Sequence, residues 1–464
     1  MGHRQQDADS WIGSTRGAAG VLHRKYDLRI YEGKALIPEL RNEFNTRFTA
    51  EGYRKLLALQ QEYCGTRVAF RIAETPIFVP QSLLEEMAAA GAELAHRLIG
   101  NRTYLDAARQ AIPPGYRVAG ETAHPHFLTA DFSLVHNIAG ELVPKLVEIQ
   151  AFPSVYGYQV ALCSAYREVF GIAGGLGNFL GGLTDSSYWD LLSRTIVGDH
   201  DPENVVLTEV DPLNQKTLPD FKATAGRLGI AVMDIRELEP AGNKLYYRNV
   251  AGELVPIHRI YNRAIADELM AREIELPFDL TREWDVEWAG HPNWYFLISK
   301  FSIPWLAGTV SGWPSAGYPV VPPAVFLSDF LEGNGRAKLE SAGVSLPATS
   351  GPGTTYTELL LKPLFSFAGK GIQFDPTQRQ LEAISPAEQA EYLLQQRMYF
   401  VPTIETPHGL TQAEIRILYL WPDGGELTPA ISLVRLGRGK MMGVDHNRNQ
   451  EWVGASAAFF PGEG

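Results

Sequence analysis

Cysteine is nearly absent: Cys64 and Cys163 are the only two in 464 residues. That excludes a disulfide framework and any zinc centre built on several thiolates, and it fits a reducing cytoplasm. No stretch approaches the roughly 18 consecutive apolar residues that cross a bilayer. The most apolar run, "VFGIAGGLGNFLGGL" (169–183), is short and broken by glycine. The start, Met1-Gly2-His3-Arg4-Gln5-Gln6, shows no apolar core of a secretory signal. It also puts Gln6 where a myristoylation signal requires Ser or Thr. An excess of base is missing too. With 41 Lys and Arg against 53 Asp and Glu, the formal net charge is −12, so no broad nucleic-acid footprint is expected, while a local basic pocket for phosphate stays compatible. No internal repeat, low-complexity segment, Ser-His-Asp set or Cys-His set stands out. "GLGNFLG" (175–181) has the wrong glycine spacing for a dinucleotide fingerprint and no strand before it, and it reads as a helix-rich connector.

What is present suffices for a large core. Hydrophobic residues make up 45% and charged residues 20%, and the length suggests several domains or one with insertions. Residues 1–115 read as mainly helical, with "AEGYRKLLALQQEY" and "PQSLLEEMAAAGAELAHRLI" carrying apolar residues at helical spacing. Over 116–190 the pattern shifts to strands: "FLTADFSLV" and "KLVEIQAF" predict a hairpin. Residues 191–320 alternate strand and helix ("NVVLTEVDP", "LPDFKATAGRLG", "IAVMDI", "IHRIYNRAI"), which implies a parallel sheet. Pro- and Gly-rich text at 303–323 marks a loop or seam. Strands return over 321–464 in "YTELLLKPL", "AEIRILYLW" and "ISLVRLG". "QQRMYFVPTI" (395–404) reads as the end of a helix and the start of a strand.

Two groups of residues suggest chemistry. In "VEIQAFPSVYGYQ" (147–159), Glu148 and Gln150 lie two apart on a strand and so point to one face. Asp131, on the pairing strand, converges with them. Mg²⁺ takes oxygen ligands of this kind, usually one or two carboxylates together with substrate phosphates; the plain alternative is a set of edge-strand charges. In "LLLKPLFSFAGKGI" (359–372), an apolar strand ends at Lys362-Pro363, and the loop Ser366-Phe367-Ala368-Gly369-Lys370-Gly371 follows. Glycines admit a ligand close to the backbone and successive N–H groups cradle phosphate oxygens, with Lys362 as a fixed charge. It is not a Walker loop, since Gly371 replaces Ser or Thr; an ordinary glycine hairpin is the competing reading. His124 and His126 lack a third ligand and read as structural. "HPNWYFLISKFSIPWL" (291–306) reads as core and seam, and Ser299-Lys300 within it could face a bound nucleotide without being counted among the site residues.

Taken in order, these segments resemble the circularly permuted ATP-grasp ligases, in particular eukaryotic-type glutathione synthetases and glutathionylspermidine synthetases. Those families carry an acid-x-amide element followed by a small-residue turn, here Glu148-Ile149-Gln150 and "AFPSVYG". The glutathionylspermidine-type enzymes add a metal-binding Asp upstream, here Asp131, and both families have a late Lys-Pro strand before a Gly-rich flap, here Lys362-Pro363 and "SFAGKG". The resemblance covers roughly 120–464. It implies a mixed α/β fold with an inserted parallel-sheet substrate domain, ATP and Mg²⁺ as cofactors, and small-molecule or peptide acids and amines as partners. Asp131, Glu148 and Gln150 would hold the metal. Lys362, Ser366, Gly369, Lys370 and Gly371 would hold the phosphates, and Gln396 and Met398 the adenine hinge. Arg416 and Arg435 would act in catalysis, and Arg263 and Ser154 would bind substrate. Arg438 and Lys440 read as loop charges. The chain departs from the pattern at Gln150 (usually Asn), Thr129 (an Arg in glutathionylspermidine-type enzymes) and Ser366 (a metal-binding Glu in glutathione synthetases). The expected activity is a carboxylate–amine ligase working through an acyl phosphate. The alternatives are a degenerate nucleotide- or peptide-binding protein, and an unrelated α/β enzyme in which Asp131, Glu148 and Lys362 lie far apart.

Overall fold

The structure is a computed structural model that describes residues 36–308, 319–366, 369–443, 447 and 449–462. The readings on residues 1–35, on the seam at 309–318 and on Phe367 and Ala368 of the flap lie outside the described residues. At the centre is an eight-stranded sheet. Its path runs Ile77–Phe78, Gly454–Pro461, Thr428–Gly437, Gly409–Leu420, Phe127–His136, Leu142–Gln150, with Ile404–Thr406 and Leu176–Gly177 at its margins. Pairing is antiparallel apart from Ile77–Phe78, which runs parallel to Gly454–Pro461.

Strand alternation divides this sheet into two faces. Leu128, Ala130, Phe132 and Leu134 join Ile415, Ile417, Tyr419, Val434 and Leu436 in one core. Helix Gln81–Ile99 covers that face through Leu84, Met87, Ala88, Gly91, Leu94 and Ala95, a 3-and-4 spacing that keeps them on one side. Each fully buried leucine of this stripe contributes roughly 1.5–3 kcal/mol. Gly91 is required by the close approach: a Cβ there would sit 2.2 Å from Tyr419 Oη and 2.9 Å from Ala130 Cβ. Tyr419 Oη in turn donates to the Ala88 carbonyl at 2.8 Å. The opposite face carries Thr129, Asp131 and Ser133, and it is this face that meets the site.

The expected α/β unit is present. Val205–Glu209, Ala231–Asp234 and Arg259–Asn262 are parallel, and Glu287–Ala289, which the sequence reading did not anticipate, adds a fourth parallel strand. Helix Leu218–Leu228 makes the crossover and ends at Gly229, φ 73°. Asp220 on this helix accepts from the N–H groups of Gly157 (2.9 Å) and Tyr158 (3.1 Å), so it satisfies the open first turn of helix Tyr156–Phe170 from outside. The sheet order Glu287–Ala289, Arg259–Asn262, Val205–Glu209, Ala231–Asp234 reverses direction between its two middle strands. At such a switch point the loops beyond the carboxyl ends part and leave a crevice.

A three-stranded meander, Glu239–Ala241, Lys244–Arg248 and Leu254–Ile257, hangs from this unit. Its last turn corrects the reading that the chain has no internal repeat. "NVAGELVP" (249–256) repeats "NIAGELVP" (137–144) with one change, Val250 for Ile138. The two hairpin turns are built alike. The Asn137 side-chain oxygen accepts from the N–H of Ala139 and Glu141, and that of Asn249 from Ala251 and Glu253. Gly140 and Gly252 both adopt φ 81°. The repeat is a stable turn used twice.

The third sheet is antiparallel, in the order Ala324–Phe326, Tyr392–Gln396, Leu359–Pro363, Gln373–Phe374. Residues before "QRMYF" are therefore strand and not the expected helix end, because Leu393–Gln395 are buried between two partners. "GLGNFLG" is likewise extended and turning, not helical: Gly177 pairs with Phe460, whose ring would lie 2.6 Å from a Cβ at that position. The mixed α/β class expected from the sequence is what the chain adopts.

Candidate functional site

A cleft of about 1730 Å³ opens where the three sheets meet. Its floor is the polar face of the central sheet. Asp131 stands opposite Glu148 on one side and Arg416 on the other, and Glu414 stands opposite Arg435. The pairing register alone therefore sets five charged side chains in two adjacent rows.

Asp131 is buried and fully engaged. Arg416 grips it with Nε to Oδ1 at 2.6 Å and Nη2 to Oδ2 at 2.7 Å, and Arg435 Nη2 donates to the same Oδ2. Burial works against the Asp131 carboxylate, but the two guanidiniums outweigh it and hold it below the usual range. Burial also opposes the Arg416 charge, and Asp131 again outweighs it, so Arg416 stays above its ordinary value. Glu414 pairs with Arg435. Burial pushes its carboxyl up to about 7 against the pull of Arg435.

Glu148 faces the cleft and takes two donors on Oε1: Lys300 Nζ at 2.9 Å and the Gln150 amide. Lys300 also donates to the main-chain carbonyl of Ser366 in the flap. Lys362 reaches the cleft from Leu359–Pro363 and is buried. Burial lowers its ammonium to about 8; Glu148 opposes the shift and Lys300 adds to it. The flap folds back over the same strand: Gly371, φ 78°, would place a Cβ 3.1 Å from Pro363 Cγ. Gly369 lines the cleft and lies under Met441, while Lys370 is exposed and, like Gly371 and Ser366, is not a lining residue. Gln396 and Met398 line the cleft where the third sheet borders it; the N–H of Gln396 donates to Pro323 O at 2.8 Å and that of Arg397 to Glu358 O at 2.7 Å. Arg438 and Lys440 line the opposite lip.

The far end of the cleft is the switch point of the parallel sheet. Arg263 leaves Arg259–Asn262 there, buried, and donates to the Ser154 carbonyl. Ser154 Oγ accepts from Arg416 Nη1 at 3.3 Å, so one serine joins the two arginines. Glu209 ends the neighbouring strand, and burial pushes its carboxyl up to about 8. Asp211 adopts φ 48°, held by its N–H on Asp234 Oδ2 at 2.9 Å. Gln215 and Glu268 complete this wall. His124 and His126 lie elsewhere and are structural: one stacks on Trp421, the other meets Asp423 at 2.9 Å.

The donor set does not fit a resident Mg²⁺ centre. Both Asp131 oxygens belong to arginines, Glu148 is paired to Lys300, and no group of three or more His, Cys, Asp or Glu placed to hold a metal occurs among the described residues. Glu414 and Glu209 carry no role in the sequence reading, and Lys300 stands there only as a residue that could face a nucleotide, outside the site residues. Lys300 did carry a signal: a lone lysine inside "YFLISKFSIPWL" must find a buried partner.

No family model matches the chain, and no curated protein is similar to it in sequence. Among solved structures 30 chains match. One is a glutathione synthetase like-effector from Globodera pallida in its apoform; the match is 12% identical, covers 92% of this chain and 100% of that chain, and has a TM-score of 0.52. The likeness is one of fold: the chain has a distant glutathione synthetase-like α/β architecture. Among the described residues no helix is long and apolar enough to cross a membrane.

Proposed function

We propose that the chain is an ATP-dependent ligase that joins a carboxylate to an amine on a permuted ATP-grasp frame. The observation that carries this is the convergence of Lys300, Lys362, Arg416 and Arg435 on one cleft whose other end is the crevice of a parallel sheet. Lys362 and Lys300 meet the phosphates, with the Gly369–Gly371 turn above them and the strand end Gln396–Met398 at the base. Arg263, Ser154 and Glu209 receive the acid and amine, small molecules or peptides. The substrate carboxylate attacks the γ-phosphorus, the bond to the β-phosphate oxygen breaks, and ADP leaves. The amine nitrogen then attacks the acyl carbon and inorganic phosphate departs. The protein's part is placement and charge neutralisation. Arg416 and Arg435, clamped by Asp131, are fixed where the transferred phosphoryl group develops charge.

Incubation with ATP and pools of acids and amines, with hydroxylamine to trap an acyl phosphate as a hydroxamate, tests this reading. Turnover that disappears in Lys362→Ala supports it. ATP binding with no phosphate release from any pool instead favours a nucleotide- or peptide-binding protein without ligase activity. Thr129 and Ser366, which stand where related enzymes have an arginine and an acid, speak for that second reading.

A further inference from the structure

We infer that the cleft takes a nucleotide polyphosphate without a protein-held divalent cation, Lys300 supplying the charge that a metal on Glu148 would supply. The inference rests on the nucleotide reading above and goes beyond it.

Lys300 is buried, and its ammonium lies 2.9 Å from Glu148 Oε1. An ammonium has three N–H donors. Glu148 and the Ser366 carbonyl take two of them, which leaves one for a phosphate oxygen. The backbone around it is tied down: the Ala151 N–H donates to Ile298 O at 2.9 Å, the Ile303 N–H to Lys300 O at 3.0 Å, and Ser302 Oγ to Ser299 O at 2.8 Å. The first of these bonds joins the Lys300 segment to the chain just after Gln150, so lysine and carboxylate are held as a unit. The cleft floor carries four cations, Lys300, Lys362, Arg416 and Arg435, against the carboxylates Glu148 and Glu414 and the buried Asp131 that pairs with the two arginines from behind. A divalent ion on Glu148 would add charge beside Lys300 and Lys362. Like charges at such close quarters repel, and a divalent ion repels a neighbouring ammonium more strongly than a unit charge does. A polyphosphate relieves that surplus directly.

The experiment is calorimetric titration of the full chain with ATP, once in excess EDTA and once in excess Mg²⁺. For the native protein the two dissociation constants are expected within about threefold of each other, under 1 kcal/mol. Lys300→Met should lose about tenfold or more in EDTA and recover in Mg²⁺, because Glu148 is then released to take the ion; Lys300→Arg should keep metal-free binding. Native binding weaker in EDTA than in Mg²⁺ by more than about threefold overturns the inference and leaves the nucleotide reading standing. No binding in either buffer overturns both. The native comparison needs no variant, so a misfolded Lys300→Met does not blunt it.

Discussion

Asp131→Asn separates two roles for this carboxylate by the sign of its effect. In the structure Asp131 is the shared counter-ion of Arg416 and Arg435, with Arg416 bidentate at 2.6 and 2.7 Å. Removing one partner from a buried ion pair costs about 3–5 kcal/mol, since the remaining charge keeps its desolvation penalty and loses its compensation. Two arginines depend on Asp131, which argues for the upper part of that range. Asparagine keeps one acceptor oxygen, and both arginine side chains are partly exposed (16% and 21%), which argues for the lower part. About 3 kcal/mol is therefore expected, a loss of more than a hundredfold in the folding equilibrium. The assay is denaturant unfolding near neutral pH in EDTA, with Arg416→Met and the double variant closing a cycle. A coupling energy of about 2 kcal/mol or more is expected between the two sites. A carboxylate serving as a metal ligand beside Glu148 would behave in the opposite way without metal: removing it relieves repulsion and stabilises. An Asp131→Asn variant as stable as the native protein in EDTA, or more stable, refutes the arginine-clamp account.

Three further outcomes follow from the same geometry. Lys362 loses its charge as pH rises through about 8, so nucleotide affinity should fall above that pH in native protein and stay level in Lys362→Arg; equal affinity on both sides of the transition would mean Lys362 does not meet the phosphates. Because its folded value lies below the ordinary 10.5, the unfolded chain binds more protons between the two, and this group's contribution to stability rises with pH across that window. Glu209 has the reverse sign: its folded value of about 8 exceeds the ordinary 4.5, so the stabilising proton is lost, and stability falls, as pH rises through that interval. Glu209→Gln should flatten the slope and raise the unfolding temperature in mild alkali, by up to about 4 kcal/mol in stability; calorimetry showing no gain above about pH 8 would contradict its burial as a carboxylic acid. Gly91→Ala should cost about 1–3 kcal/mol in chemical unfolding, because the new methyl meets Tyr419 and Ala130 and helix Gln81–Ile99 must move off the sheet; a neutral effect would show that this contact is loose.

Much of the fold was legible because its signals are local. The apolar spacing of 80–99, the alternation in "FLTADFSLV" and the buried runs of the parallel strands each depend on neighbours within one element. The same alternation put Glu148 and Gln150 on one face and Glu414 beside Arg416. The mistaken elements had conflicting local signals: the glycines of "GLGNFLG" serve close packing against Phe460, and the Gln-rich end of Tyr392–Gln396 is strand only because Leu359–Pro363 and Ala324–Phe326 flank it.

What the sequence left open was which charge pairs with which. Asp131, Glu148 and Gln150 suggest a metal when read as a strand motif, because oxygen ligands on one face are all that such a motif displays. Their partners come from far along the chain: Arg416 and Arg435 arrive through the order of strands in the central sheet, and Lys300 through the segment that Ala151 ties down. Each arrival turns an oxygen that reads as a ligand into half of an ion pair. The acid-x-amide element is thus compatible with two electrostatic designs, one completed by a divalent cation and one by lysine. The deciding residue, Lys300, lies about 150 positions downstream in a run whose aromatic density points first to core and seam. A buried lysine within such a run has to be matched to a carboxylate somewhere in the fold, and in this chain that carboxylate is the one that had been reserved for a metal.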